Sequence, residues 1–158
     1  IKRQLCLLLP GVSVFLDVDD LEDIGELQTY IRQTALVMIF VSRGYFKSWN
    51  CLREANSTVR QGKPIALVHD SASYLNSYTP LSELRDVECP DRLRGLIFGA
   101  HGSIFGRERE VIPWHRIQDF QRVSLRKLAE RILLSCPGNE ALVRILLYMP
   151  GELQHQAL

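Results

Sequence analysis

The sequence predicts an α/β protein in which helices cover both faces of a mostly parallel sheet. Segments with the apolar pattern of strands alternate with segments spaced like amphipathic helices, and the connections are short. Two predicted strands, residues 35–42 and 65–70, are largely apolar, which is typical of strands buried on both faces. With 158 residues, of which 46% are hydrophobic, the chain is long enough for one domain with a sizeable core.

The first quarter of the chain is predicted to form a helix, a strand and a second helix. Residues 1–9, IKRQLCLLL, suit the end of a helix that Pro10-Gly11 stops. Residues 12–18, VSVFLDV, are β-branched or aromatic and mostly apolar, which predicts a short strand. A short amphipathic helix follows from Gly25 onward, with apolar residues at helical spacing: Leu27, Tyr30 and Ile31.

A buried strand, a helix and another strand come next. Residues 35–42, ALVMIFVS, predict the first strand, and residues 48–61 predict a helix with Ser48 as its N-cap. Gly62 supplies the helix stop, and residues 65–70, IALVHD, predict the second strand. One apolar stripe of the helix is expected to face the core: Leu52, Ala55 and Val59.

The second half of the chain carries fewer regular patterns. Residues 71–110 are rich in Ser, Asn, Pro and Gly and predict only short helical or strand pieces. VIPWHRI, residues 111–117, predicts another strand, and residues 119–134 predict a helix. The apolar residues expected to form its buried stripe are Phe120, Val123, Leu128 and Ile132.

The domain is predicted to span residues 1–136, with residues 137–158 as a C-terminal extension. The extension contains VRILLYM, residues 143–149, whose pattern fits either one more strand or a helix.

Composition narrows the classes of function. Nineteen basic and eighteen acidic residues give a net charge of +1, so no overall field attracts nucleic acid or an anionic membrane. The four cysteines form no Cys-x-x-Cys pair, which disfavours a zinc site. Cys6 and Cys51 lie in or beside apolar runs and are expected to be buried, reduced thiols of a cytoplasmic protein. No apolar run approaches the roughly 20 residues of a membrane-spanning helix, so we expect a soluble chain.

Several catalytic patterns are missing. The glycines of GAHGSIFG, residues 99–106, lack the spacing of a phosphate-binding loop, and no G-x-S-x-G elbow is present. A phosphoryl-accepting receiver domain would use clustered acids to hold Mg²⁺, but it also needs a lysine after a late strand, and residues 111–117 contain none. The acids considered for that alternative are Asp17, Asp19, Asp20 and Asp70.

The carboxyl ends of the predicted strands indicate where a ligand would bind. In open parallel sheets, ligands bind beyond these ends, which here means the loop DVDDLEDIG, the turn SRGYFKSWN and the segment after Val68. Glu54 lies about 200° around its helix from Leu52 and therefore points away from the apolar stripe. By pattern alone it belongs to a solvent-exposed polar face, formed by Asn50, Glu54, Ser57, Thr58 and Gln61.

Three segments together resemble the Toll/interleukin-1 receptor (TIR) domain family, and are most similar to its NAD-cleaving branch. They are VFLDVDDLEDIGEL, ALVMIFVSRGYFKSWNCLREA and KPIALVHD. The resemblance covers residues 1 to about 70, and VIPWHRI with the following helix looks like the last strand and helix of the family. It implies the flavodoxin-like three-layer fold of TIR domains, with the first strand missing from the chain and VRILLYM as a candidate for its place.

The resemblance implies an enzymatic function. Glu54 takes the position of the catalytic glutamate that hydrolyses the nicotinamide–ribose bond of NAD, releasing nicotinamide and ADP-ribose or a cyclic variant. A carboxylate suits this chemistry because it stabilises the oxocarbenium-like ribose, while nicotinamide leaves as a neutral molecule. NAD is then the substrate, no cofactor or metal is needed, and self-association with other TIR domains activates the enzyme, in a role in signalling and innate immunity.

The same resemblance implies a set of substrate-binding residues. Trp49 or Tyr45 supplies an aromatic shelf or is a hydrophobic anchor of the turn, although the tryptophan stands one residue earlier than in the family. The remaining positions lie at the strand end and in the gating loop after the second family strand: Ser42, Asp17, Glu22 and Gly25. The alternative is a non-catalytic TIR module that signals only by binding other TIR domains.

Overall fold

The computed structural model describes residues 1–15, 27–75, 78–99, 109–139, 141–147 and 149. In this part of the chain, helices surround three parallel strands in the order β1-β2-β3. The strands are β1 (Val37–Val41), β2 (Ile65–Asp70) and β3 (Val111–Trp114). The helices are α1 (Lys2–Leu8), α2 (Leu27–Gln33), α3 (Trp49–Arg60), α4 (Leu81–Glu83), α5 (Asp91–Ile97) and α6 (Gln118–Leu134). A 3-10 helix spans Tyr45–Lys47, and a π-helix spans Leu84–Glu88.

The sheet is parallel throughout the described residues. Val37 lies opposite Ile65 in the pairing of β1 with β2, and Leu67 lies opposite Val111 in the pairing of β2 with β3. The predicted α/β class with a parallel sheet is confirmed here, and this open sheet is compatible with a flavodoxin-like fold.

Helices cover both faces of the sheet, as the apolar strands predict. Successive strand residues point to opposite faces, so Ile39 and Leu67 enter one core while Ala66 and Val68 enter the other. The first core, which we call the α3-side core, includes buried residues of α2, the turn after β1, α3 and α5. The second, the α6-side core, is closed by α1 and α6. The burial of β1 and β2 on both faces is therefore confirmed.

The local stop and cap signals act as the sequence indicates. Helix α1 ends at Leu8, and Gly11 adopts a positive φ of 90°. The Ser48 hydroxyl accepts the backbone N–H of Cys51 at 3.5 Å as the N-cap of α3, and Gly62 ends that helix with φ 62°. These ends are predictable because each depends on one residue and its immediate neighbours.

The strand predicted over residues 12–18 does not form in its described part. Residues 12–15 belong to no helix or strand, although Val12 and Val14 pack against the α6-side core. Phe15 instead stacks on Tyr30 of α2, with ring centroids 4.4 Å apart. Apolar and β-branched character here reflects burial of side chains rather than strand pairing. Residues 16–18 lie outside the described residues.

The buried stripe of α6 differs from the predicted one. Leu128 is buried and Ile132 packs against the same core, but Phe120 and Val123 are exposed. Phe120 lies in the first turn, where its ring faces His115 beyond the end of β3. Val123 is about 200° from the buried Leu125 on an ideal helix, so both cannot face the sheet. The remaining buried positions are Ser124 and Ala129.

The described part of the C-terminal segment, residues 141–147 and 149, is neither strand nor helix. It packs on the α6-side core through Leu147 and the buried Met149, and the Leu147 amide donates to Glu130 at 3.4 Å. In this part of the segment, VRILLYM does not occupy a strand position in the sheet. The predicted boundary at residue 136 stays a prediction.

All four cysteines carry free thiols. Cys6 is exposed rather than buried, because Leu5 and Leu9 form the inward face of α1, while Cys51 is partly buried. Among the described helices, none has the length and apolar character that crossing a membrane demands.

Candidate functional site at the carboxyl edge of the sheet

The carboxyl ends of the three strands meet at one edge of the sheet, which carries two groups of polar side chains. The group on the α3 side, called the α3-side edge, consists of Arg43, Tyr45, Glu54, Thr79 and Glu88. The group on the other side, called the α6-side edge, consists of Asp70, Ser71, His115 and Arg116. Each group includes residues at or just after a strand end, as ligand sites of parallel sheets do.

The Glu54 carboxylate is held by the hydroxyl of Tyr45. Tyr45 Oη donates to Glu54 Oε2 at 2.9 Å. The tyrosine is only 9% exposed, and its ring packs edge-to-face against Phe46 with centroids 5.1 Å apart. Tyr45 is thus a buried anchor that orients Glu54, with little ring surface left for stacking on a ligand. The carboxylate predicted as catalytic lies at the predicted edge.

The polar face of α3 is not the solvent-exposed face that its pattern predicts. Ser57 and Thr58 are buried, and the Thr58 hydroxyl donates to the backbone oxygen of Glu54 at 2.8 Å. Gln61 reaches α2 by donating to the backbone oxygen of Gln28 at 3.0 Å. Helix α2 therefore covers part of this face near the C-terminal end of α3. Glu54, which lies nearer the N-terminal end of α3, is partly buried.

A buried carboxylate fixes the turn that carries Tyr45. The side chain of Glu88, in the π-helix, is 3% exposed and pairs with Lys47 at 3.2 Å. Its Oε2 accepts the backbone N–H of Gly44 at 2.9 Å. Gly44 adopts φ 80° and directly precedes the 3-10 helix, whose first residue is Tyr45. The bond between Gly44 and Glu88 therefore fixes the position of Tyr45. Glu88 lies within residues 71–110, where no sequence signal singles it out.

Arg43 lies on the same turn and is also missed by sequence patterns. Its Nε donates to the Thr79 hydroxyl at 3.0 Å, and its Nη2 donates to the backbone oxygen of Tyr78 at 3.5 Å. Thr79 is buried, and its carbonyl accepts a hydrogen bond from His69 Nε2 at 2.9 Å. A carbonyl can only accept, so the Nε2 atom of this buried histidine carries a proton.

The other predicted substrate-binding residues do not join this group. Trp49 is 73% exposed at the first position of α3, about 140° around the helix from Glu54 on ideal geometry. It is therefore not a buried hydrophobic anchor. Ser42 is exposed, and its backbone oxygen accepts the amide of Tyr45 at 3.0 Å. The predicted gating-loop positions lie outside the described residues: Asp17, Glu22 and Gly25.

On the α6-side edge, Asp70 and Arg116 form an ion pair at 2.5 Å. Asp70 also accepts the Ala72 amide at 3.0 Å. Partial burial opposes ionisation of the Asp70 carboxyl, but the hydrogen bonds and the charge of Arg116 outweigh it and lower the pKa. Asp70, one of the acids considered for a receiver domain, is thus paired with an arginine. The other three acids of that alternative lie outside the described residues: Asp17, Asp19 and Asp20.

Ser71 and His115 lie side by side but are not arranged as a nucleophile and its base. The Ser71 hydroxyl donates to the Trp114 carbonyl at 2.9 Å and lies 3.0 Å from His115 Nδ1. Because its single proton is engaged by the carbonyl, the hydroxyl accepts from the histidine rather than donating to it. Within the described ranges, no three His, Cys, Asp or Glu side chains come together as metal ligands.

No model of a protein family, no curated protein and no solved structure matches the chain. Fold and site alone therefore define its class: an α/β protein whose parallel sheet presents an oriented carboxylate at the carboxyl edge.

Proposed function

We propose that the protein is a TIR domain that cleaves NAD at the bond between nicotinamide and ribose. The single observation that carries the proposal is the hydrogen bond from Tyr45 to Glu54, which orients a carboxylate at the carboxyl edge of a parallel sheet. Ligands of such sheets bind at this edge, and the position of Glu54 matches the glutamate of the family resemblance.

The proposed reaction needs one carboxylate and no bound metal. The bond between nicotinamide N1 and ribose C1′ breaks, and both of its electrons leave with nicotinamide, which becomes neutral. Glu54 stabilises the positive charge that develops on the ribose, because an anion held in a fixed orientation requires little rearrangement as that charge appears. Water then adds to C1′ and loses a proton to solvent, which gives ADP-ribose. Alternatively, a nitrogen of the adenine attacks C1′ and the adenine loses a proton to solvent, which gives a cyclic product.

Assembly with other TIR domains and a cytoplasmic location complete this proposal. Self-association is the activating step that the family resemblance implies. The four free thiols suit a reducing compartment such as the cytoplasm. We propose no nucleic-acid or membrane partner.

A non-catalytic TIR module that binds other TIR domains is the second candidate. Its supporting observation is Trp49, which is 73% exposed at the start of α3, since exposed tryptophans often anchor protein interfaces. In this alternative, the bond between Tyr45 and Glu54 serves only to fix the turn.

Nicotinamide release separates the two candidates. The protein is incubated with NAD at high concentration and with a crowding agent, as wild type, Glu54→Ala, Glu54→Gln and the control Glu110→Ala. Glu110 is an exposed acid just before β3, at the opposite edge of the sheet. We expect wild type and Glu110→Ala to release nicotinamide equally, and Glu54→Ala to be slower by about 100-fold or more.

The Glu54→Gln variant guards against a folding defect, because its amide oxygen can still accept the Tyr45 hydroxyl. We expect it to be folded by circular dichroism and as inactive as Glu54→Ala. Assembled wild type that releases no nicotinamide, or Glu54→Gln with wild-type turnover, would eliminate the enzymatic proposal and leave the binding module.

A further inference from the structure

Among the described residues, two cations at the carboxyl edge are neutralised by carboxylates. Lys47 pairs with Glu88 at 3.2 Å, and Arg116 pairs with Asp70 at 2.5 Å. Arg43 differs, because its partners are the hydroxyl of Thr79 and the backbone oxygen of residue 78. Arg43 therefore keeps its full positive charge for another partner.

The guanidinium of Arg43 is nevertheless held in place. Thr79, its closest partner, is buried, and the Thr79 carbonyl is fixed by His69 at the end of β2. The next residue along the chain, Gly44, is held by Glu88. Two of the five guanidinium N–H groups point into these protein contacts, so the side chain is oriented while it retains donors for a ligand.

Arg43 lies on the same turn after β1 as the residue that orients the proposed catalytic carboxylate. It precedes by two residues the tyrosine whose hydroxyl orients Glu54, and both side chains belong to the α3-side edge. In a dinucleotide, the diphosphate is attached to the same ribose whose C1′ bond breaks. When this ribose lies at Glu54, only the ribose separates the diphosphate from the carboxylate.

We infer that Arg43 binds the diphosphate group of the dinucleotide substrate. This inference rests on the proposed function and adds the group that recognises the anionic part of the substrate. Arginine suits the task because its planar fork donates two parallel hydrogen bonds to phosphate oxygens. The hydroxyl of Thr79 orients the fork without neutralising it.

Binding of ADP-ribose tests the inference without requiring turnover. Calorimetry compares wild type, Arg43→Gln, Arg43→Lys and the control Arg60→Gln, which removes an exposed charge at the last residue of α3, about 16 Å along the helix from its first residue. We expect Arg43→Gln to bind ADP-ribose roughly 10- to 100-fold more weakly, as for loss of hydrogen bonds from a charged donor. Arg43→Lys keeps the charge without the fork and should be intermediate, and Arg60→Gln should match wild type.

Adenosine, which lacks phosphates, is the matched ligand. Its affinity should be the same for wild type and Arg43→Gln, and equal melting temperatures would show that both variants are folded. Wild type that binds ADP-ribose no better than adenosine, or Arg43→Gln that binds ADP-ribose like wild type, would overturn the assignment. Equal loss for adenosine and ADP-ribose would also overturn it, because the arginine would then only shape the turn.

Turnover separates this inference from the proposed function. If the protein cleaves NAD, Arg43→Gln should raise KM for NAD about tenfold or more and leave cleavage of nicotinamide riboside, which has no phosphate, unchanged. ADP-ribose binding that depends on Arg43 without any NAD cleavage would remove the enzymatic proposal and retain the diphosphate site. NAD cleavage that depends on Glu54 but not on Arg43 would retain the enzymatic proposal and remove the diphosphate site.

Discussion

The charged side chains on the two sides of the carboxyl edge have different kinds of hydrogen-bond partner. On the α6-side edge, Asp70 and Arg116 neutralise each other in a direct ion pair. On the α3-side edge, Lys47 and Glu88 also form an ion pair. Neutral hydroxyls contact two further charged groups there, since Tyr45 donates to Glu54 and Thr79 accepts from Arg43. A neutral partner fixes the direction of a charged group without cancelling its field. Under the proposed function, the α3-side edge acts on a charged ligand, whereas the ion pair of the α6-side edge joins β2 to the residues before α6.

Glu88 offers the largest expected effect, because it is the buried charge on which the α3-side edge depends. Replacement by alanine removes the acceptor of the Gly44 amide and the partner of Lys47. We expect a loss of about 2 kcal/mol in the free energy of unfolding, measured by urea denaturation. The control Glu110→Ala removes a 53% exposed carboxylate bonded to Lys127 and should cost less than about 0.5 kcal/mol.

Cys89 reports on the same region. Burial raises the pKa of its thiol to about 11, so only ~0.1% is thiolate at pH 8 and reaction with a thiol reagent should be slow in the wild type. Glu88→Ala should speed this labelling, because the neighbouring segment opens more often. Labelling and stability like those of Glu110→Ala would mean that Glu88 does not hold the turn.

On the α6-side edge, Asp70→Ala should cost about 1 kcal/mol, since Arg116 is half exposed and solvent weakens the pair. The folded pKa of Asp70 is below its usual value of 3.8. The contribution of the Asp70 ion pair to stability is therefore complete above pH 3.8, the usual pKa, and is lost as the pH falls through the lower pKa of the folded state. Denaturation at pH 6 and pH 3 should show a smaller difference between wild type and Asp70→Ala at pH 3. A difference independent of pH would contradict this account. Under the proposed function, Asp70→Ala should leave NAD cleavage unaffected.

Tyr45→Phe should give the smallest change in stability, because the ring remains in the core while the hydroxyl bond to Glu54 is lost. We expect about 0.5–1 kcal/mol in urea denaturation. Under the proposed function, kcat for nicotinamide release should fall several-fold with KM little changed, since the hydroxyl orients the carboxylate rather than the substrate. An increase in KM alone would instead place Tyr45 in contact with the substrate.

Elements whose signals are local are predictable from the sequence. The stop after α1, the Ser48 cap, the buried strands β1 and β2 and the long helix α6 each depend on a few consecutive residues, and each is present. The placement of Glu54 at the carboxyl edge also follows from the sequence, because a helix that follows a parallel strand begins at that edge.

Which side chains meet at that edge depends on contacts between distant segments of the chain. Glu88 and Gly44 are 44 residues apart, and Arg43 and Thr79 are 36 apart, so no local pattern links them. Packing also overrode local pattern where Ser57 and Thr58 are buried on the polar face of α3, and where Val12 and Val14 pack against the α6-side core without joining the sheet. The physical reason is the same in each case: periodicity describes one segment, whereas burial and hydrogen bonding depend on what another segment places against it.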